Sequence, residues 1–425
     1  MQKFDVLIVG AGMVGLTLAL AIRNSTKLSV ALVDNTPVSK PNEVIGTKVS
    51  AINVASKNIF VNLGVWPSIE TNRSQAYQHM HVWDKSGLGK LDFCAQDSQV
   101  FPPEEQLGWI VENTVIRFAL WQKAKQDDGI HFFTDNKLAT VSHGDNEVFA
   151  TFVSDNTQAP TPPVLAKLVV GADGANSWLR AQMNMAMIFK DYDHHAIVAT
   201  VHCTQGHQNT AWQVFLPTGP LAFLPVQSAN DDEANALCSI VYSTTPEEAA
   251  RLSSVDTATF SKVLTAASDG KLGNITLKSD RITFPLSMRL AQDFVKERMV
   301  LIGDAAHTIH PLAGQGVNLG LLDAAALAQT LAANISDSNE PFDNWFSPSQ
   351  LKAFARWRKA EATEMITAMA AIKKTFEPQQ SPLKLLRGVG MMLLNNFGPA
   401  KNQLIGQALG IKPNLPSLAY QKDLL

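Results

Sequence analysis

The apolar positions at the start of the chain predict a strand, a tight turn, a helix and a second strand. Residues 5–9 form a short apolar run, which is typical of a buried parallel strand. The pattern G-x-G-x-x-G follows at once, and residues 16–22 continue with the composition of a helix. A second apolar run, LSVALVD, ends at an acid about 20 residues after the glycines. This order predicts a Rossmann-like unit.

The glycine pattern predicts a binding site for a dinucleotide. Gly10 would make the turn, Gly12 would let the backbone approach a pyrophosphate, and Gly15 would let the helix pack on the strand. The N-terminus of the helix would face the phosphates. Asp34 is placed to accept hydrogen bonds from the ribose hydroxyls of an adenosine. These residues fit NAD and FAD equally well, and a glycine-rich turn without a ligand is the alternative.

Two later apolar runs also end in turns that suit a ligand. Residues 165–170 lead into G-A-D-G, which places Asp173 at the carboxyl edge of the sheet. Residues 298–302 lead into Gly303 and Asp304, whose carboxylate could accept a hydrogen bond from a ligand hydroxyl. Pro311 interrupts any helix begun there, and a long alanine-rich helix then opens. The start of this helix contains Gly314, Gly316, Val317 and Asn318. The backbone amides of its first turn suit the anionic edge of a reduced isoalloxazine ring.

The same stretch also raises the possibility of a metal site, because Asp304, His307 and His310 are each three residues apart. Pro311 restricts the backbone of His310, and no further cluster of Cys, His, Asp or Glu supplies the remaining ligands. We therefore expect no metal, and we expect the two histidines to form local hydrogen bonds or packing contacts.

Composition excludes some classes of function. The chain has 425 residues, 46% of them hydrophobic, which is enough for two or three domains. A net charge of −3 and a pI near 6.4 argue against a nucleic-acid partner. Three dispersed cysteines fit a reducing compartment, so we expect a cytoplasmic protein. Residues 6–22 lack the features of an export signal, and no other run approaches the roughly 20 apolar residues that span a bilayer.

Charge is concentrated at the C-terminal end. Residues 346–425 contain eleven Lys and Arg but four Asp and Glu. Within them, PLKLLRGVGMMLLNNFG is both apolar and basic. This segment could line an apolar tunnel, contact anionic lipid headgroups or pack on its own domain, and we expect the region to be helical.

The three motifs, in this order, resemble those of the single-component flavoprotein aromatic hydroxylases. KVSAINVASKNIFVNLGVW, IVENTVIRFALWQKA and GDAAHTIHPLAGQGVNLG extend the similarity to the ubiquinone-biosynthesis hydroxylases over nearly the whole chain. Within that family, VWDKSG, GADGANSWLR and DYDHHAIVAT most resemble the branch that hydroxylates 2-polyprenylphenols at ring carbon 5. The resemblance implies a mixed α/β fold, in which a Rossmann-like FAD-binding domain is interleaved with an antiparallel-sheet substrate domain and followed by C-terminal helices.

The same resemblance implies an FAD-dependent monooxygenase. NAD(P)H would reduce the flavin, and O2 would supply the oxygen atom that enters the aromatic ring of a polyprenylphenol. The alternatives are a hydroxylase of this fold that acts at another ring position or on another aromatic substrate, or a non-catalytic flavin- or lipid-binding member of a ubiquinone-biosynthesis complex. No side chain is singled out as catalytic. His194 or His195 could face a pocket from a strand, or both could be structural.

The resemblance also assigns residues to parts of FAD. It gives the adenosine half to the first glycine motif and Asp34, the DG turn to Asp173, and the ribityl chain and flavin to the GD motif. Lys48 stands where the family usually has Arg, so the charge is kept and the planar fork is lost. Arg117 is a further candidate contact. The residues assigned to the ribityl chain and flavin are Gly303, Asp304, Pro311, Gly314, Gly316, Val317 and Asn318.

The domain prediction follows from the same comparison. The FAD-binding domain would comprise residues 1–75, 100–180 and 285–345, and the substrate domain residues 76–99 and 181–284. Residues 182–283 alternate between apolar and polar positions, which predicts an antiparallel sheet. Residues 346–425 would form the C-terminal helical region.

Overall fold

The predicted N-terminal unit forms the centre of a largely parallel sheet. In spatial order its strands are β18 (Val295–Lys296), β19 (Met299–Leu301), β11 (Val164–Gly171), β1 (Gln2–Val9), β2 (Val30–Asp34) and β8 (Ile130–Thr134), with β10 (Val148–Phe152) and β9 (Leu138–His143) joined antiparallel beside β11. Strands β19, β11, β1, β2 and β8 run parallel, so their carboxyl ends share one edge of the sheet. This computed structural model describes residues 1–42, 45–97, 105–134, 136–153, 161–228, 235–309, 314–337, 345–376 and 380–421.

Helices cover this sheet and extend beyond it. In the described part of the chain they are α1 (Met13–Ser25), α2 (Val54–Asn62), α3 (Trp66–Glu70), α4 (Asn113–Ala124), α5 (Trp178–Gln182), α6 (Pro246–Ser254), α7 (Thr257–Ala267), α8 (Gln315–Asp337), α9 (Pro348–Phe376), α10 (Ser381–Asn396) and α11 (Gly398–Leu409). Helix α1 packs between α4 and α8, and its residues 15–22 are all buried. The largest apolar core lies among these helices and one face of the sheet.

Helix α8 contradicts the expectation that no run besides residues 6–22 is long and apolar enough to span a bilayer. Its residues Gln315–Ile335 are long and apolar enough to cross a membrane, judged by length and composition only. However, 67% of that window is buried inside the protein, where α8 contacts α1. The helix therefore serves as a core element of this fold.

A second sheet is antiparallel apart from one strand pair. Its strands are β20 (His307–Thr308), β17 (Ile282–Ala291), β12 (Met187–Cys203), β15 (Leu237–Thr244), β14 (Gly219–Pro225), β13 (Thr210–Leu216), β5 (His79–Asp84) and β6 (Lys90–Cys94), with β16 (Ile275–Leu277) also paired to β12. A small third sheet consists of β3 (Val49–Ile52), β7 (Gly108–Glu112) and β4 (Ser74–Tyr77). The predicted mixed α/β fold is confirmed.

Two helices interrupt the segment for which alternation predicted only sheet. Thr245 caps α6 by accepting a hydrogen bond from the Glu248 amide at 3.4 Å, and Pro246 occupies the first turn. Asp256 caps α7 in the same way through the Thr259 amide at 2.9 Å. Both caps were readable as helix starts, so the prediction of sheet throughout residues 182–283 was wrong at these positions.

The boundary between the predicted domains falls within a strand. Strand β17 crosses residue 285, and β20 joins the second sheet from within the segment assigned to the FAD-binding domain. The chain then runs from β17 directly into β18 and β19 of the first sheet. The domain division itself stays a prediction.

Candidate FAD site

Four neighbouring parallel strands bring the three sequence motifs to one edge. The strand order β19, β11, β1, β2 places Gly303, Asp173, the first glycine motif and Asp34 side by side, each at or just beyond a carboxyl end. Ligands of open α/β sheets bind in the crevice outside these ends. A cavity of about 760 Å³ lies there, and its lining includes the predicted residues Gly10, Gly12, Asp34, Lys48, Arg117 and Asp173.

The three glycines of the first motif act differently. A Cβ added at Gly10, whose φ is +108°, would lie 2.4 Å from the Ala172 carbonyl oxygen, and one at Gly15 would lie 1.9 Å from the Gly10 carbonyl oxygen. A Cβ at Gly12 would meet nothing within 4 Å. The first and third glycines therefore close the turn, while the second opens onto the cavity. Gly12 caps α1 without a side-chain hydrogen bond, so the first-turn amides are available to an anion.

Asp34 and Arg117 line the part of the cavity that the sequence assigns to adenosine. Asp34 accepts hydrogen bonds from the amides of Ala11 at 2.6 Å and Thr36 at 2.7 Å. Arg117, on α4, donates to the carbonyl oxygens of Ala11 and Thr36 at 2.8 Å each, and its Nη2 lies 3.6 Å from Asp34 Oδ2. Arg117 thus ties the glycine turn to the loop after β2. Its predicted direct contact with FAD stays a prediction.

Asp173 supplies a buried oxygen that lacks a protein donor. Its Oδ2 accepts a hydrogen bond from the Leu179 amide at 3.1 Å, whereas its buried Oδ1 accepts none from the described residues. Arg180 donates to the carbonyl oxygens of Ala305 at 2.8 Å and Ala175 at 2.9 Å, which links the DG turn to the GD turn. A buried carboxylate oxygen without a donor is costly, and a hydroxyl of a bound cofactor would satisfy it. This observation fits FAD.

Asp304 is the acid of the GD turn and lies at the carboxyl edge of the sheet, after β19. Gly303 adopts a φ of +57°, and a Cβ there would lie 3.2 Å from the Val14 side chain of α1. Asp304 is exposed to solvent at this edge. Neighbouring protein atoms still displace part of its water, which raises the pKa of Asp304; the charge of His307 opposes this effect and the charge of Asp323 reinforces it.

The start of α8 is held by Asn318. This buried side chain accepts a hydrogen bond from the Asn53 amide at 3.2 Å and donates to the Ala51 carbonyl oxygen at 2.8 Å. A Cβ at Gly314, whose φ is +62°, would lie 2.9 Å from the Ala51 Cβ. The Asn318 side chain therefore joins α8 to β3 and α2, and its assignment to the flavin stays a prediction. Gly316 and Val317 are half-buried in the first turn of α8, while Pro311 and His310 lie outside the described residues.

A buried charged network behind the GD turn had not been predicted. Asp323, on α8, accepts hydrogen bonds from the Gly303 amide at 3.0 Å, His307 Nε2 at 2.5 Å and Arg358 Nε at 2.7 Å. All three side chains are essentially inaccessible to solvent. Burial alone would raise the pKa of Asp323, but the charges and hydrogen bonds of His307 and Arg358 outweigh burial and lower it. The network holds the amide of the GD turn.

One part of this network had a signal in the sequence. Asp323 is an acid within a long apolar helix, and a buried acid requires a partner. Arg358, 35 residues away on α9, offers no local pattern that would identify it as that partner. The sequence spacing offers His307 as a possible metal ligand, whereas in the structure its partner is the Asp323 carboxylate.

The metal hypothesis included His310, which lies outside the described residues, whereas His194 and His195 are both described. No group of three or more His, Cys, Asp or Glu within the described ranges is arranged to hold a metal ion. His194 and His195 lie on β12, and neither is among the residues that line the cavity.

Together, the fold and the cavity along this edge are typical of a flavoprotein, and the parts of FAD assigned to single residues stay predictions. The chain belongs to the FAD binding domain family, whose sequence profile matches residues 3–363.

Two curated relatives match over almost their whole length. The chain is 31% identical to "Ubiquinone biosynthesis monooxygenase COQ6, mitochondrial" of Xenopus tropicalis, over 95% of this chain and 93% of that protein. It is 30% identical to the "3-demethoxyubiquinol 3-hydroxylase" of Escherichia coli strain K12, over 96% of this chain and 99% of that protein.

The fold has a close counterpart among solved structures. The p-nitrophenol 4-monooxygenase PnpA from Pseudomonas putida DLL-E4 superimposes with a TM-score of 0.76 at 17% identity, over 97% of this chain and 100% of that chain. At the level of the family, the predictions of an FAD-dependent aromatic-ring monooxygenase that uses NAD(P)H and O2 are confirmed.

Proposed function

We propose that this protein hydroxylates the aromatic ring of a polyprenylphenol in ubiquinone biosynthesis, at ring carbon 5. The observation that carries the proposal is full-length similarity to enzymes named for ubiquinone biosynthesis, in a chain that brings all three flavin motifs to one edge. The ring position rests on the segments VWDKSG, GADGANSWLR and DYDHHAIVAT. Because the Escherichia coli relative is named a 3-hydroxylase, hydroxylation at another ring position is the second candidate.

The protein's contribution to this reaction is binding and placement. Bound FAD, reduced by NAD(P)H, supplies the redox chemistry with O2. The first turn of α1 binds the pyrophosphate, Asp34 and Arg117 hold the adenosine end, and Asp173 and Asp304 accept hydrogen bonds from hydroxyls of the cofactor. The network around Asp323 fixes the GD turn, so that Asp304 is presented at a constant position.

The substrate ring would bind against the face of the second sheet that points away from α6 and α7. Val201 and Ile240 pack toward those two helices, so the alternating residues Thr200 and Ser239 point to the opposite face. These two residues are directly paired across β12 and β15, and both hydroxyls are buried without a hydrogen bond to a described residue. They are the candidate partners of the phenolic oxygen.

The setting follows from the substrate. A polyprenylphenol resides in a membrane, so the protein would work at the cytoplasmic surface of a membrane and within a ubiquinone-biosynthesis protein complex. The COQ6 relatives are named mitochondrial, and that location is a property of those proteins.

The test combines cells and purified protein. Cells without the protein should accumulate an unhydroxylated polyprenylphenol, identified by mass spectrometry. The purified holoprotein should add one oxygen atom to a short-tailed 2-prenylphenol when NAD(P)H and O2 are present, and NMR of the product should place the hydroxyl at carbon 5. Demethoxyubiquinol offered in parallel tests the second candidate. Phenol that stays unhydroxylated with all reactants present would contradict the proposal, and full complementation by a folded Asp304→Ala variant would favour a non-catalytic role.

A further inference from the structure

Helix α10 is fixed firmly to the protein along one face. Buried Arg387 donates to the Asp84 carboxylate of β5 and to the carbonyl oxygens of Thr375 and Phe376 at the end of α9, at 3.2 Å each. A Cβ added at Gly89, in the turn between β5 and β6, would lie 3.2 Å from the Gly388 Cα. The backbones of the helix and the hairpin therefore touch, and the orientation of α10 is set by this buried side.

The opposite face of α10 is apolar and open to solvent. Leu386 and Leu393, one helical repeat of seven residues apart, are 68% and 66% exposed. Leu88, at the tip of the hairpin beneath the helix, is 80% exposed and lies beside Gly388. We call this surface the apolar patch, and it consists of Leu88, Leu383, Leu385, Leu386, Val389, Met392, Leu393 and Phe397. Exposed apolar side chains concentrated on one helix and the hairpin tip beside it are typical of an interaction site.

The rim of the apolar patch is cationic. Residues 380–421 contain no Asp or Glu. Lys384 lies on α10 between Leu383 and Leu385, Lys90 begins β6 two residues after Leu88, and neither lysine forms an ion pair with a described residue. The acids of the adjoining hairpin are each paired with a cation or a histidine, as Asp84 with Arg387, Asp92 with His81 and Asp97 with Lys401.

From this combination we infer that α10 and the tip of the β5–β6 hairpin form a surface that inserts into an anionic lipid bilayer. An apolar helical face bordered by lysines lies in the interfacial layer, with its aliphatic side chains among the acyl chains and its cations at the headgroups. A twofold contact between two copies of the patch would instead bring the same lysines against each other, which is unfavourable. The inference deepens the proposed function and rests on it for its purpose, because it brings the enzyme to the phase that contains a prenylated phenol.

Flotation of the FAD-loaded full-length protein with vesicles tests the surface. The vesicles are phosphatidylcholine alone, or phosphatidylcholine with about one third phosphatidylglycerol. Wild type should float with the anionic vesicles and dissociate partly at high salt. The variant L386E/L393E should bind at least tenfold more weakly, because two inserted side chains become charged. Each of Lys90→Gln and Lys384→Gln should weaken binding to the anionic vesicles about fivefold.

The matched control is Val61→Glu, which places the same charge on an exposed apolar position of α2, outside the patch. It should bind vesicles as wild type does. The inference is overturned if wild type does not float or if L386E/L393E floats as well as wild type. It is also overturned if light scattering shows that the patch forms a dimer interface, with L386E/L393E monomeric and otherwise unchanged.

Failure of the membrane-binding inference can be distinguished from failure of the proposed function. FAD absorbance and hydroxylation of a water-soluble short-tailed phenol should be unchanged in L386E/L393E, while hydroxylation of a long-tailed phenol in vesicles should fall with vesicle binding. Normal vesicle binding without any hydroxylation would overturn the proposed function alone. Hydroxylation of the soluble phenol by a wild-type protein that does not bind vesicles would overturn the membrane-binding inference alone.

Discussion

The two halves of the FAD edge are built in different ways. At the half assigned to adenosine, the glycine turn, Asp34 and Arg117 line the cavity, and the two side chains hydrogen-bond to the backbone of the glycine turn and of the loop after β2. At the half assigned to the flavin, Asp323 on α8 holds the amide of the GD turn and is itself paired with Arg358 on α9. The first half is a local backbone structure, whereas the second depends on a buried charged network. The two should therefore fail differently when they are changed.

The largest effect is expected where the buried network is broken. Asp323→Asn would leave Arg358 and His307 buried without a charged partner, and such a loss costs about 3–5 kcal/mol. We expect this decrease in the free energy of unfolding of the apoprotein, measured by urea denaturation, together with weaker FAD binding measured by quenching of flavin fluorescence.

Asp127→Asn is the control for this change, because it breaks the more exposed pair of Asp127 with Arg23 at 3.0 Å. A partly exposed pair contributes about 0–1 kcal/mol. If the two variants lost equal stability, the flavin half would not depend on the buried network.

The glycine motif offers a comparison within a single turn. Gly15→Ala should reduce the free energy of unfolding by about 3 kcal/mol, the upper end for overpacking, because its Cβ would collide with the Gly10 carbonyl oxygen. Gly12→Ala should fold normally, since its Cβ meets nothing within 4 Å, but it should bind FAD more weakly because the methyl group enters the cavity. Thermal unfolding of the apoprotein and FAD titration distinguish the two. Equal loss of stability in both variants would contradict the assigned roles.

Arg117 tests whether the adenosine half also needs positioning. Arg117→Met removes the hydrogen bonds that connect the glycine turn to the loop after β2, and hydrogen bonds to charged groups contribute about 1.5–3 kcal/mol. We expect the apoprotein to lose stability of up to this size, and FAD to bind about tenfold more weakly or worse because the turn is no longer held in place. Lys123→Met, on the exposed side of the same helix, should leave FAD binding unchanged.

The two halves also differ in how far the sequence predicted them. The glycines, Asp34 and Asp173 follow strand ends at short spacings, so local pattern was enough to place them at one edge. The partnership of Asp323 with Arg358 joins residues 35 positions apart, and it depends on how α9 packs against α8, which no local pattern encodes. Helices α6 and α7 differ from the prediction for another reason, because alternation over a long segment predicts sheet while the caps Thr245 and Asp256 are local signals within it. Asn318 was assigned to the flavin by resemblance, while its side chain binds the backbone near β3.

The smallest effect concerns Asp304 and has opposite signs for folding and for binding. Because the loss of part of its water raises the pKa of this exposed carboxyl, folding slightly disfavours its charged form, and wild type should lose a little stability as pH rises from the ordinary pKa of Asp through the raised one. Asp304→Asn should remove this loss, so the apo variant should be slightly more stable than wild type at neutral pH and equal to it in acid. Asp323 behaves in the opposite way because its pKa is lowered. Its contribution to the free energy of unfolding is fully present above the ordinary pKa of Asp and is lost as pH falls through the lowered pKa. The same Asp304→Asn variant should bind FAD about tenfold more weakly, because a neutral amide accepts a hydroxyl less strongly than a carboxylate does. Urea denaturation across pH and FAD titration would reveal this trade, and a variant that gained no stability while keeping full FAD affinity would remove Asp304 from the site.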